Sequence, residues 1–231
     1  MRILALADES DERLWNERAR EKLQGVDLIL SAGDIDAPFL SFLTCFTTAP
    51  IVYIHGNHDE KYAEKPPEGC ICAEDRVVRV NGVRILGLGG CMFYRPGRWM
   101  LTEKEMRSRI SALRGTLRRY RGIDILLTHA PAAGVGDQQD VAHRGFECFK
   151  EVMDKYEPTL MIHGHVHQSY SSAFIRSRKY GETEVINACG SYFFDLPELR
   201  NKKTPSPIVK ILERRAERKE NGYYNNRGFM D

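Results

Sequence analysis

Eight short runs rich in Ile, Leu and Val, at residues 2–7, 26–30, 51–54, 77–80, 83–88, 123–128, 159–163 and 184–188, limit what this chain can become. Most lack the polar alternation of a half-exposed strand and read as strands covered on both faces. Helical stretches at 11–22, 37–46, 103–120 and 146–156 fall between several of them, so the first and third quarters of the chain alternate β and α. That order predicts an α/β fold. Asn81-Gly82 is the strongest short turn signal in the chain and predicts a hairpin over 77–88. With 231 residues the chain can bury roughly 70–75% of the surface it exposes when unfolded. Folding therefore requires neither disulfides nor metal, and a metal site would serve chemistry.

The helix over 103–120 begins at Thr102, whose spacing to Glu105 is that of a capping box. Met106, Ile110, Leu113, Leu117 and Tyr120 form one apolar stripe along it. Eight basic residues between 98 and 121 are set against Glu103 and Glu105 alone, with no aromatic residue interleaved over 103–119 for base stacking. They read as a solvated helix face, and nucleic acid is not an expected partner. Residues 200–231 carry nine basic and four acidic residues. They read as a charged helix over 208–220 and a polar tail, set apart at about 201 from a domain over 1–200. Since the net charge is only +2, the rest of the chain is acidic, and acidic clusters call for a cation or a solvated surface.

Residues 1–7 are far short of a signal peptide or a membrane span before charge sets in at 8–13, so a cytoplasmic protein with no membrane partner is expected. The six cysteines, Cys45, Cys70, Cys72, Cys91, Cys148 and Cys189, have no C-x-x-C spacing. They read as thiols, most of them small core residues, with Cys70 and Cys72 able to share one strand face.

Groups suited to metal binding crowd the strand ends. The first run ends at Asp8, the second leads into Ser31-Ala32-Gly33-Asp34-Ile35-Asp36, and the third into His55-Gly56-Asn57-His58-Asp59. Later runs close on Thr128-His129-Ala130-Pro131 and on His163-Gly164-His165-Val166-His167. Four of the seven histidines lie in these loops, and His55 and His163 sit on the strands themselves. Loops from separate strands converge at the carboxyl edge of a sheet. Each piece alone is common, Gly-Asp as a turn and a single His as a core residue; together they point to one site. Asp36 is expected to cap the helix that starts near Ala37. Gly87-Leu88-Gly89-Gly90 follows a strand, but Met92 breaks the dinucleotide fingerprint and the segment reads as a loop.

In this order the pieces resemble the calcineurin-like metallophosphoesterase superfamily, whose pattern runs D-x-H, G-D, G-N-H-[DE], a lone His, then G-H-x-H. The matching residues are Asp8, Gly33-Asp34, Gly56-Asn57-His58-Asp59, His129 and Gly164-His165-Val166-His167, and the resemblance spans roughly residues 1–195. It implies two packed mixed β-sheets flanked by helices, a four-layer αββα sandwich. It also implies hydrolysis of a phosphomonoester or phosphodiester by a dinuclear metal centre with a bridging hydroxide. Asp8, Asp34 and His167 would hold the first ion, and Asp34, Asn57, His129 and His165 the second. Mixed Asp, Asn and His donors suit Mn, Fe or Zn. His58 is left free to protonate the leaving oxygen or stabilise the phosphoryl transition state, with Asp59 as the partner that orients it. His55 and His163 read as buried or supporting groups.

The chain departs from the pattern at position 10, where Ser10 stands in place of the expected histidine. A neutral hydroxyl replaces imidazole poorly, so the first site is expected to be weak, completed by water, or assisted by Glu9 or Asp11. The alternative to an enzyme is a non-catalytic scaffold of this fold that binds a protein partner, yet Asn57, His58 and every second-site residue are present. Two loops border the expected pocket. Residues 90–100 bring Phe93, Tyr94, Arg95, Arg98 and Trp99, groups suited to an organic phosphate, and residues 131–145 end with His143 and Arg144. The expected substrate is a small phosphoester, whether a cyclic nucleotide, another nucleotide or a simple phosphodiester.

Overall fold

Thirteen strands form among the described residues of the computed structural model, which are 1–167, 174–200, 203–209 and 211. They are β1 (Arg2–Ala7), β2 (Leu28–Ser31), β3 (Ile51–Tyr53), β4 (Ile71–Cys72), β5 (Arg76–Val80), β6 (Val83–Leu88), β7 (Cys91–Met92), β8 (Met100–Leu101), β9 (Ile125–Thr128), β10 (Leu160–His163), β11 (Ser177–Tyr180), β12 (Thr183–Asn187) and β13 (Gly190–Asp195). The helices are α1 (Ala19–Lys22), α2 (Ala37–Leu43), α3 (Glu103–Ala112), α4 (Arg114–Tyr120) and α5 (Glu147–Tyr156).

Five strands, in the order β13-β1-β2-β3-β4, make one sheet, and six, in the order β11-β12-β10-β9-β6-β5, make the other. In the first sheet β1 to β4 run parallel and β13 pairs antiparallel to β1. In the second, β12, β10, β9 and β6 run parallel between antiparallel edges β11 and β5. The hairpin turns at Asn81 and Gly82, both at positive φ, as expected.

Alternate residues of each inner strand face different cores. Ile3, Ala5, Leu30 and Val52 meet Ile85, Ile125, Leu127 and Ile162 between the sheets. Leu4, Leu6, Ile29 and Tyr53 turn outward onto Phe39, Leu40 and Leu43 of α2, and Leu86, Leu126 and Met161 turn outward onto Met106, Leu117 and Phe149 of the other helices. The layers are therefore helix, sheet, sheet, helix, as the resemblance implies. Burial on both faces is why the runs show no polar alternation. The apolar stripe of the 103–120 stretch packs on the six-stranded sheet.

The differences have local causes. The 11–22 stretch is a single 3-10 turn, Glu12–Leu14, and the short α1, because Asp11 and Asn16 side chains take the backbone groups that a continuous helix would use. The 103–120 stretch keeps its capping box but breaks at Leu113 into α3 and α4. Asp36 occupies the cap position of α2 without a side-chain cap bond. Pro38 has no N–H to offer, and the Phe39 N–H goes to the Asp36 carbonyl at 2.9 Å. Arg109 does not belong to a solvated face: it donates to Asp75 at 2.7 Å, to the Gly89 carbonyl at 2.8 Å and to Glu74. Five strands escape the apolar-run pattern. β11 is polar and exposed, β13 is built on half-exposed aromatics, and β4, β7 and β8 are two residues each. The charged helix expected over 208–220 lies outside the described residues except for 208, 209 and 211.

Candidate metal centre

Because β1, β2 and β3 run parallel, as do β9, β10 and β12, the segments carrying Asp8, Asp34, Asn57, His129 and His165 leave their strands at one edge of the sandwich. Three of these residues adopt left-handed backbone that is rare outside glycine: Asp8 at φ 65°, Asp34 at φ 55° and His165 at φ 67°. Such conformations cost of order 1–3 kcal/mol each and persist where the surroundings impose them. Here they turn the chain sharply at the strand end. The turns are packed tightly: a Cβ on Gly56 would lie 2.0 Å from Asp34 Oδ1, and one on Gly164 2.9 Å from Asp8 Oδ2.

Asp8, Asp34 and His129 place one donor atom each within 4.8 Å of one another. His129 is fully buried, with Nδ1 2.8 Å from the Ala32 carbonyl. That contact assigns a ring proton to Nδ1 and leaves Nε2, 2.9 Å from Asn57 Oδ1 and 3.3 Å from Asp34 Oδ2, as the nitrogen turned toward the candidate site. The His58 N–H donates to Asp34 Oδ1 at 2.7 Å, and the His165 N–H donates to both Asp8 oxygens at 2.8 and 3.0 Å.

Burial opposes charge on all of these groups. It pushes Asp8 above the usual carboxylate range, against the pull of the His129 charge. It pushes Asp34 the same way, but the charge and hydrogen bond of His129 outweigh it and hold Asp34 at about 2. Burial would lower His129, yet Asp34 and Asp8 raise it to about 9. His165, buried and facing the His129 charge, falls to about 3. Two carboxylates and one imidazole at this spacing form a donor set that fits a divalent cation, whose binding would displace the extra His129 proton.

The other expected site residues divide. His165 lies beside His129, ring centroids 4.9 Å apart, with Nε2 2.7 Å from the Ala142 carbonyl. His167 Nδ1 faces Glu9 Oε1 at 3.5 Å, close enough for its charge to act on Asp8, and Glu9, His167 and Cys189 form a second group with donor atoms within 4.8 Å. Asp59 is not the partner of the His58 imidazole. Its buried Oδ2 accepts the N–H groups of Asp34 and Gly56, each at 2.7 Å, so it clamps two loops together. Burial and the Asp34 charge raise it to about 6. The exposed His58 side chain has no hydrogen bond among the described residues.

Arg95 lines a cleft of about 290 Å³ together with Asn57, His58 and Glu60. His143 stands over His165 at 5.1 Å, held by Asp140 at 2.9 Å. Arg98 instead lies over the Trp99 ring, and Arg144 is exposed on its loop.

Residues 1–192 match the calcineurin-like phosphoesterase superfamily domain. The chain belongs to the calcineurin-like phosphoesterase superfamily. Members of this superfamily use divalent metals, and the described residues contain candidate ligand groups. TT1561 of Thermus thermophilus shares the fold at 16% identity and a TM-score of 0.57, over 82% of this chain and 89% of that one. A hypothetical protein from the same organism aligns at 15% identity and a TM-score of 0.48, over 81% of this chain and 75% of that one. A novel archaeal phosphodiesterase aligns at 13% identity and a TM-score of 0.40, over 82% of this chain and 84% of that one. No curated protein matches this chain.

Against the superfamily pattern, sequence reasoning passes over Glu74. Its carboxylate accepts the His55 N–H at 2.9 Å and the Gly89 N–H at 2.7 Å, faces His55 Nδ1 at 2.9 Å and pairs with Arg109. Burial pushes Glu74 up, but the His55 hydrogen bond and the Arg109 charge bring it below the usual value. With the Trp99 ring stacked on His55 at 4.1 Å, this network props the loop that carries Asn57 and His58. No local motif marks Glu74, since its partners lie 15 to 35 residues away. No helix among the described residues is long and apolar enough to cross a membrane.

Proposed function

We propose that this chain hydrolyses small phosphomonoesters or phosphodiesters at this edge, with two divalent ions, manganese, iron or zinc, held by Asp8, Asp34, Asn57, His129, His165 and His167. One observation carries the reading: the Asp8–Asp34–His129 group, built around the buried His129, adjoins a cleft in which the His58 side chain stands exposed with no hydrogen bond among the described residues. When bound, such ions neutralise phosphoryl charge and acidify a water molecule.

The chain's own residues do the rest. The His58 N–H on Asp34 fixes the distance between the catalytic loop and the ligand carboxylate. The free imidazole of His58 can then give a proton to the departing ester oxygen. Arg95, on the same cleft, offers a guanidinium to non-bridging phosphate oxygens. Asp59 keeps the Gly56 and Asp34 turns together during turnover. None of the six cysteines is in a disulfide, which suits a cytoplasmic setting.

The test is a panel of bis-p-nitrophenyl phosphate, p-nitrophenyl phosphate and cyclic nucleotides offered to metal-reconstituted protein. Chelator-sensitive hydrolysis is expected. Fully loaded protein that turns over none of them would favour a scaffold.

A further inference from the structure

Position 10 carries a hydroxyl where the family pattern has an imidazole, and the structure gathers other donors nearby. Glu9, His167 and Cys189 hold a carboxylate oxygen, an imidazole nitrogen and a sulfur within 4.8 Å of one another. Tetrahedral donors around zinc, at bond lengths of about 2.0–2.3 Å, stand roughly 3.5 Å apart. The 3.5 Å between His167 Nδ1 and Glu9 Oε1 fits that spacing.

The group adjoins the Asp8 carboxylate through the backbone. Glu9 is the next residue, Ala7 forms a parallel bridge with Cys189, and the His165 N–H on Asp8 lies two residues before His167. Cys189 is fixed in place: its N–H donates to Asn187 Oδ1 at 2.8 Å, and its carbonyl accepts both Arg176 nitrogens at 3.2 and 3.3 Å. The cysteine is 1% exposed while the Glu9 side chain is 61% exposed, so the sulfur forms the floor of the group and the carboxylate its open side.

We propose that Cys189, Glu9 and His167 bind the first of the two ions, Cys189 as thiolate and Glu9 supplying the donor that Ser10 lacks. A thiolate moves the preference of that ion from manganese to zinc. This rests on the two-ion reading above and names the metal chemistry of one half of it.

The test uses the full chain, stripped of metal and titrated with cobalt(II), with the near-ultraviolet sulfur-to-cobalt charge-transfer band as the readout. Wild-type protein should develop this band. Cys189→Ser and Cys189→Ala should lose it while still binding one cobalt ion, and Cys91→Ser should keep it. Glu9→Gln should keep the band but weaken its titration by roughly 10-fold or more. In competition, zinc should displace manganese from this site in wild-type protein, with the preference reduced in Cys189→Ser.

Two cobalt ions bound without the band, or a band that survives in folded Cys189→Ser and Cys189→Ala, would overturn the cysteine assignment and leave the two-ion reading standing. Failure to bind any cobalt would overturn both. A Cys189-dependent band in protein that hydrolyses no phosphoester would uphold this site and overturn the hydrolase reading alone.

Discussion

His129 Nε2 stands 3.3 Å from Asp34 Oδ2 in a pocket where the imidazole is wholly buried. The contact joins the end of β9 in one sheet to the end of β2 in the other, so the site straddles the sandwich. Each partner shifts the other, Asp34 down to about 2 and His129 up to about 9.

Asp34→Asn keeps the oxygen that accepts the His58 N–H and removes only the charge. Metal affinity and hydrolysis should both fall, by more than roughly 100-fold, with the circular dichroism spectrum unchanged. The His129 pKa should drop well below about 9 in the metal-free variant, as read by NMR titration. Full metal content at wild-type rate would refute the role given to Asp34.

His58→Ala removes an exposed side chain with no hydrogen bond among the described residues, so stability and metal content should hold. Turnover of alkyl phosphoesters should fall by roughly 10²–10⁴, the usual range for a positioned acid or base. The loss should be smaller for p-nitrophenyl esters, whose leaving group needs no proton. An equal loss for both would assign His58 to charge stabilisation.

Glu74 supplies a pH dependence whose sign can be worked out. Its folded value lies below the ordinary 4.5, so it stabilises the native state above that pH and the contribution is lost as pH falls through the folded value. Glu74→Gln should cost about 2 kcal/mol at neutral pH by taking from Arg109, in a mostly buried setting, one of its two carboxylate partners. Denaturant unfolding should show the gap between variant and wild type closing as the medium is acidified below pH 4.5. A gap independent of pH would show that shape rather than charge matters at this position.

The parts of the fold legible in the sequence are those buried on two faces. β1 and β6 coincide with apolar runs because neighbours on either side demand apolar residues at every position. β13 is hidden because Tyr192, Phe193 and Phe194 lie on a half-exposed edge. The site follows the same logic. Asp34, Asn57 and His129 announce themselves by standing at strand ends, the first two beside glycines where close packing excludes a Cβ. Glu74, Arg109 and Cys189 do not, since each acts through partners brought near by the fold alone.

Ser10→His tests how the departure at position 10 is compensated. In wild-type protein, where Glu9, His167 and Cys189 are available, it should move the weaker metal-binding step by less than about tenfold. In the Cys189→Ser background it should restore much of the lost affinity, now with nitrogen in place of sulfur. A large gain in wild-type protein would mean that the site is short of a ligand as it stands.

Phosphoester hydrolysis by metal held at Asp8, Asp34 and His129 is tested most directly by following bis-p-nitrophenyl phosphate turnover and bound metal together through chelation and reloading. Activity should vanish with the metal and return in step with two ions per chain. Hydrolysis undiminished in metal-free protein, or none in fully loaded protein, would contradict it.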